Sequence, residues 1–134
     1  ARDGLGHNMA VVTPEGVVGR VIKVFDTTAR ILLLTDRSLG IDALVQRTRD
    51  QGVVQGKGMD QCEMKYLSRQ SAVSVGDVIV TSGMGGVFPK GVRVGKVTSV
   101  KKGGYLLQKV EVVPAAPLDR LEEVIVLTGG EKVR

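Results

Sequence analysis

Pro14-Glu15-Gly16-Val17-Val18-Gly19-Arg20-Val21-Ile22-Lys23-Val24 is echoed downstream by Pro89-Lys90-Gly91-Val92-Arg93-Val94-Gly95-Lys96-Val97-Thr98-Ser99-Val100. Each copy reads Pro-x-Gly and then Val-Gly-basic-Val-x-x-Val after one or two residues. The first glycines are 91 − 16 = 75 positions apart and the second 95 − 19 = 76, so one copy carries a single inserted residue. A glycine inside a strand weakens it unless it serves a bulge, a sharp barrel corner or a close approach of backbones. Gly19 and Gly95 are therefore expected at equivalent bends, with Gly16, Pro89 and Gly91 forming the turns that lead into them. Chance likeness between two Val- and Gly-rich segments is the alternative reading of the echo.

The rest of the chain has the same character. Short runs rich in Val and Ile are bounded by Gly, Pro or Asp, the pattern of strands and turns. Strands are expected at Met9–Thr13, Val17–Phe25, Ala29–Leu34, Ile41–Val45, Gly52–Gln55, Cys62–Tyr66, Asp77–Thr81, Val92–Val100, Leu106–Val113 and Glu123–Leu127. Ser74-Val75-Gly76-Asp77 and Lys102-Gly103-Gly104-Tyr105 carry further turn chemistry, and Leu118–Glu123 allows one helical turn. So many short strands in 134 residues predict an all-β fold of two small packed β-barrels of antiparallel strands with little helix. The expected division is 1–72 and 73–134, with the terminal strands free to cross it.

Composition narrows the function. Hydrophobic residues make up 43% and charged residues 25%, the balance of an ordinary globular domain. A net charge of +5 is spread along the chain without a polybasic run, which reads as a solvated surface rather than an electrostatic footprint. Cys62 is the only cysteine, which excludes an intramolecular disulfide and a Cys-rich zinc site. No stretch approaches the roughly 18 apolar residues of a membrane span. The chain begins at Ala1, so an anchor or signal upstream remains an open expectation.

The sequence carries no recognisable catalytic constellation. His7 is the only histidine and lies at the end opposite Ser82, whose surroundings Thr81-Ser82-Gly83-Met84-Gly85-Gly86 lack the Gly-x-Ser-x-Gly elbow. The Ser82 hydroxyl is expected to serve a turn amide. Gly91-Val92-Arg93-Val94-Gly95-Lys96-Val97 is one residue short of a P-loop and carries Val after the Lys. No catalytic residue, cofactor or metal is expected. Binding remains, with Val87 and Phe88 at a Gly-rich loop as candidate partner contacts; burial of Phe88 under its own turn is the other reading. The rival is a basic SH3- or OB-like barrel that binds RNA or the ribosome through Lys96, Lys101 and Lys102. Single-strand binders stack bases on aromatic side chains, and this chain has two Tyr and two Phe, of which Tyr66 and Phe88 are expected in the core. Nucleic acid is accordingly not an expected partner.

An ordered set of blocks resembles a known family. Met9-Ala10-Val11-Val12-Thr13-Pro14-Glu15-Gly16-Val17-Val18-Gly19-Arg20-Val21, Ile31-Leu32-Leu33-Leu34-Thr35-Asp36, Val75-Gly76-Asp77-Val78-Ile79-Val80-Thr81-Ser82-Gly83, Phe88-Pro89-Lys90-Gly91-Val92-Arg93-Val94-Gly95-Lys96-Val97, Val112-Val113-Pro114 and Leu121-Glu122-Glu123-Val124 occur in the order seen in the β-rich domain of rod-shape-determining MreC proteins. The resemblance implies a non-enzymatic scaffold of the cell-elongation and peptidoglycan-synthesis machinery. It implies a periplasmic β region anchored to the inner membrane only by an upstream helix absent from this sequence. It also implies self-association, as dimers or filaments, and contact with a class B penicillin-binding transpeptidase and with MreD.

Overall fold

The computed structural model describes residues 9–58, 60–68, 70–101, 108–118, 125–128 and 131–133. These residues form eleven strands and no helix: β1 (Ala10–Thr13), β2 (Gly16–Val24), β3 (Ala29–Leu33), β4 (Gly40–Val45), β5 (Gln51–Gly58), β6 (Gln61–Lys65), β7 (Val78–Thr81), β8 (Arg93–Lys101), β9 (Lys109–Pro114), β10 (Ile125–Thr128) and β11 (Glu131–Val133). The all-β class is as expected, and β11 is a strand that patterning did not anticipate. The helical turn expected at 118–123 and the turn at 102–105 lie outside the described residues, apart from Leu118.

Two sheets organise the chain. Six strands close a barrel in the order β4-β5-β6-β9-β8-β7, and five make a sheet in the order β11-β10-β1-β2-β3. The second sheet is thus open between β3 and β11 among the described residues, where a second barrel was expected. The sheets also interleave in sequence instead of dividing at residues 72 and 73. The barrel takes three strands from each side of that point, and β10 returns from the end of the chain to pair with β1, Val11 opposite Val126. Sequence periodicity reports which face of a strand is buried but not which strand it pairs with, so this exchange leaves no local signal.

Alternation explains how each strand is seated. In β4, Ile41 and Ala43 are buried while Asp42 is exposed, and in β9 Val110 and Val112 are buried on either side of Glu111. Burying one such valine contributes about 1.5–3 kcal/mol. One large core joins Ala10, Val17 and Leu34 of the open-sheet region to Leu39, Met64, Ile79, Val94 and Val110 of the barrel, so the two sheets share an interior. A smaller cluster of Val11, Val18, Val21 and Ala116 packs against the open sheet.

The sequence echo is also a geometric one. In β2, Gly19 pairs with Val11, and Val18 then bulges before Val17 meets Val12. In β8, Gly95 pairs with Ile79, and Val94 then bulges before Arg93 meets Val80. A second bulge follows in each copy, at Ile22 between the Val21 and Lys23 pairs and at Thr98 between the Val97 and Ser99 pairs. The run β11-β10-β1-β2-β3 therefore repeats β5-β4-β7-β8-β9 in order and in register defects. Among the described residues, the barrel alone adds a sixth strand, β6, between β9 and β5.

Candidate interaction surface

The loop between β7 and β8 is built around a threonine. Thr81 is fully buried; its Oγ1 donates to Pro89 O at 2.5 Å and accepts from Val92 N at 2.9 Å, while Gly91 N reaches Thr81 O at 2.9 Å. Gly83 and Gly91 take φ of 81° and 91°, a region that favours glycine. Ser82 N donates to Asp42 O at 3.0 Å, and the Ser82 hydroxyl accepts from Met84 N at 3.3 Å, a turn-stabilising use of the side chain. Gly16 opens β2 at the end of the equivalent turn, where Thr13 Oγ1 accepts from Glu15 N at 3.2 Å.

This loop presents an apolar surface, but not through the residue expected. Phe88 is 8% exposed and belongs to the main core, which corrects its assignment as an exposed contact. Its ring packs into the core, within a loop whose Gly83, Gly86 and Gly91 all take positive φ. Val87 is half-buried against the same core, and the exposed apolar group of the loop is Met84, at 69%. Tyr66 departs from expectation in the opposite sense. It ends β6 at φ 64° and is 67% exposed, since the left-handed turn takes it out of the strand's inward alternation.

Beside the loop, a cleft of about 180 Å³ separates β2 from β4, lined by Arg20, Leu39, Gly40, Ile41, Asp42, Gly83, Gly85, Val87 and Phe88. Arg20 Nε is buried, with no hydrogen-bond partner among the described residues. Nothing in the local sequence places Arg20 and Asp42 on one cleft, because β2 and β4 belong to different sheets.

Gly76 and Asp77 belong to a separate structural knot. Gly76 has φ 95° and its amide donates to Val97 O at 2.8 Å. Arg47 grips Asp77 with two hydrogen bonds of 2.9 Å, reaches Ala72 O at 2.7 Å, and leaves the carboxylate to accept from Ser74 N at 2.8 Å. The Arg47 guanidinium holds the Asp77 carboxyl below the ordinary carboxylate range, against a smaller opposing effect of desolvation. Cys62 is buried, with Sγ 3.6 Å from Leu34 O, and burial pushes its thiol up to about 12, which makes it a packing residue. His7 lies outside the described residues. Among those described, no group of His, Cys, Asp and Glu could hold a metal ion.

Comparison with known proteins accounts for this architecture. The family model described as "Rod shape-determining protein MreC, barrel core" matches residues 1–128. The cell shape-determining protein MreC of Escherichia coli (strain K12) is 34% identical over 134 residues, covering 97% of this chain and 36% of the relative's length. The chain thus spans about a third of that relative. The crystal structure of MreC from Pseudomonas aeruginosa superposes with a TM-score of 0.89 at 32% identity, covering 93% of this chain and 82% of that one. A structure of the major periplasmic domain of the cell shape-determining filament MreC gives 0.71 at 28% identity, with 84% and 72% covered. The fold is shared, at 18% identity and a TM-score of 0.74, with a chain in a complex between the penicillin-binding protein PBP2 and MreC from Helicobacter pylori, with 88% and 75% covered. The RNA-binding alternative finds no support among these relatives.

Proposed function

The chain belongs to the MreC family of rod shape-determining proteins, and on that premise we propose that it is a non-catalytic scaffold that binds peptidoglycan-synthesis proteins and associates with its own copies. Membership over residues 1–128 carries the reading. Likeness to the major periplasmic domain of an MreC protein supports a periplasmic setting, with the membrane reached through an upstream anchor. The complex of a related chain with PBP2 supports a class B penicillin-binding transpeptidase as a partner; MreD is a further partner consistent with the family.

Met84 and Val87, on the loop between β7 and β8, are the apolar groups best placed for such a contact, with the Arg20–Asp42 cleft beside them. The two sheets form the frame that holds this loop. The test is a pull-down by the periplasmic region of the elongation transpeptidase, with wild type and a Met84→Lys, Val87→Lys variant of unchanged circular dichroism. Capture of wild type and loss with the variant is the expected result. Failure of wild type to bind at high concentration sinks the scaffold reading, and equal capture of both removes only this loop.

A further inference from the structure

Among the described residues, the open sheet has no counterpart of β6. In the barrel, β6 pairs antiparallel with β9 on one side and β5 on the other, placing Cys62 opposite Val112, Glu63 opposite Glu111 and Met64 opposite Val110. Matching the two copies through their bulges makes Arg30 the equivalent of Glu111 and Lys23 the equivalent of Ser99. Among the described residues β3 pairs only with β2, so the edge that β9 gives to β6 is open on β3. Unpaired strand edges are templates for a further strand.

Charge says what the missing strand carries. Lys23 and Arg30 are directly opposite each other, both exposed, a like-charge cross-strand pair that opposes sheet formation. Lys23 lies 5.4 Å from the centre of the Phe25 ring, and no acidic side chain pairs with either residue among the described ion pairs. The barrel solves the corresponding problem: Glu111 faces Glu63, and Lys57 of β5 reaches Glu111 at 3.3 Å. Among the described ion pairs, none supplies the compensating charge at Arg30.

We propose that β3 is a docking edge for an extended segment of a partner protein with an apolar-acidic-apolar pattern, antiparallel to β3, its carboxylate opposite Arg30. The flanking apolar residues, opposite Ala29 and Ile31, would take the places that buried Cys62 and Met64 hold in the barrel and face the Val11, Val18 and Val21 cluster. Triplets of this pattern in the described strands, Ile41-Asp42-Ala43, Cys62-Glu63-Met64 and Val110-Glu111-Val112, are already paired inside the barrel, so a second copy would have to open its barrel to supply one. The inference rests on the scaffold reading but names a surface distinct from the Met84 loop.

Two capped peptides with the core Thr-Val-Glu-Val-Thr or Thr-Val-Lys-Val-Thr serve as probes, with fluorescence anisotropy for affinity and hydrogen exchange for location. The Glu peptide should bind more tightly by about fivefold, the scale of a cross-strand charge pair, and should slow exchange at Ala29–Leu33. Arg30→Glu should invert that preference. The proposal is overturned if protection appears elsewhere, or if the preference survives Arg30→Glu. It is equally overturned if β3 is protected by rising protein concentration without peptide, which makes a second copy the occupant, or if phosphatidylglycerol vesicles bind through Arg30 while the Glu peptide does not. Transpeptidase capture that persists in Arg30→Glu separates failure here from failure of the scaffold reading.

Discussion

Gly19 and Gly95 stand in the same relation to their neighbouring strands: a Cβ at Gly19 would land on the carbonyl of Leu32, and one at Gly95 on the carbonyl of Val113. Both obstacles are backbone and cannot swing aside as a side chain would. The echo in the sequence thus marks two places where adjacent strands close to a distance that only glycine permits.

Gly19→Val and Gly95→Val should each destabilise the fold by about 3 kcal/mol or more, the upper range for overpacking a close-packed site. Gly40→Ala is the control, because its Cβ would meet only the Val53 side chain at 3.4 Å and should shift stability by less than about 0.5 kcal/mol. Urea denaturation of the three variants checks this. Unchanged midpoints in both valine variants would remove the close-approach account.

Asp77 gives a pH dependence of defined sign. Its folded-state carboxyl lies below the unfolded value, so the stability it contributes is fully present above the ordinary carboxylate range near pH ~4 and is lost as pH falls through the lower folded value. Asp50, held low by hydrogen bonds from Ser71 and Thr48, acts in the same direction. Asp77→Asn should therefore lower Tm at neutral pH, and the gap from wild type should narrow on acidification. Thermal melts at neutral and acid pH measure it; a gap that widens toward acid contradicts the assignment.

Thr81 and Ser82 should separate a buried role from a surface one. Thr81→Val leaves the Val92 amide and the Pro89 carbonyl without their partner and should cost about 2–4 kcal/mol, with Thr81→Ser recovering most of it. Ser82→Ala removes an exposed turn bond to Met84 N and should cost under about 1 kcal/mol. Neither wild type nor Ser82→Ala should hydrolyse peptides or esters. Hydrolysis abolished by Ser82→Ala would contradict the non-catalytic reading.

Much of this protein is written locally. Period-two alternation around Ile41 and Val110, punctuation by Gly and Pro, and the repeated Val-Gly-basic-Val are enough to establish an all-β chain with two related modules, because strand faces and turn conformations depend on residues within a few positions of one another. The lone Cys62 and the lack of a nucleophile beside a base likewise need no structure to read. Strand partners are different, since any amphipathic strand offers the same hydrogen-bonding edges: only tertiary structure decided that β10 closes on β1, that β6 completes one module with no counterpart among the described residues of the other, and that Phe88 turns inward while Met84 and Tyr66 turn out. The Lys23–Arg30 pair illustrates the limit, two basic residues whose opposition depends on a bulge at Ile22 and whose unmatched charge is visible only once β3 is an edge.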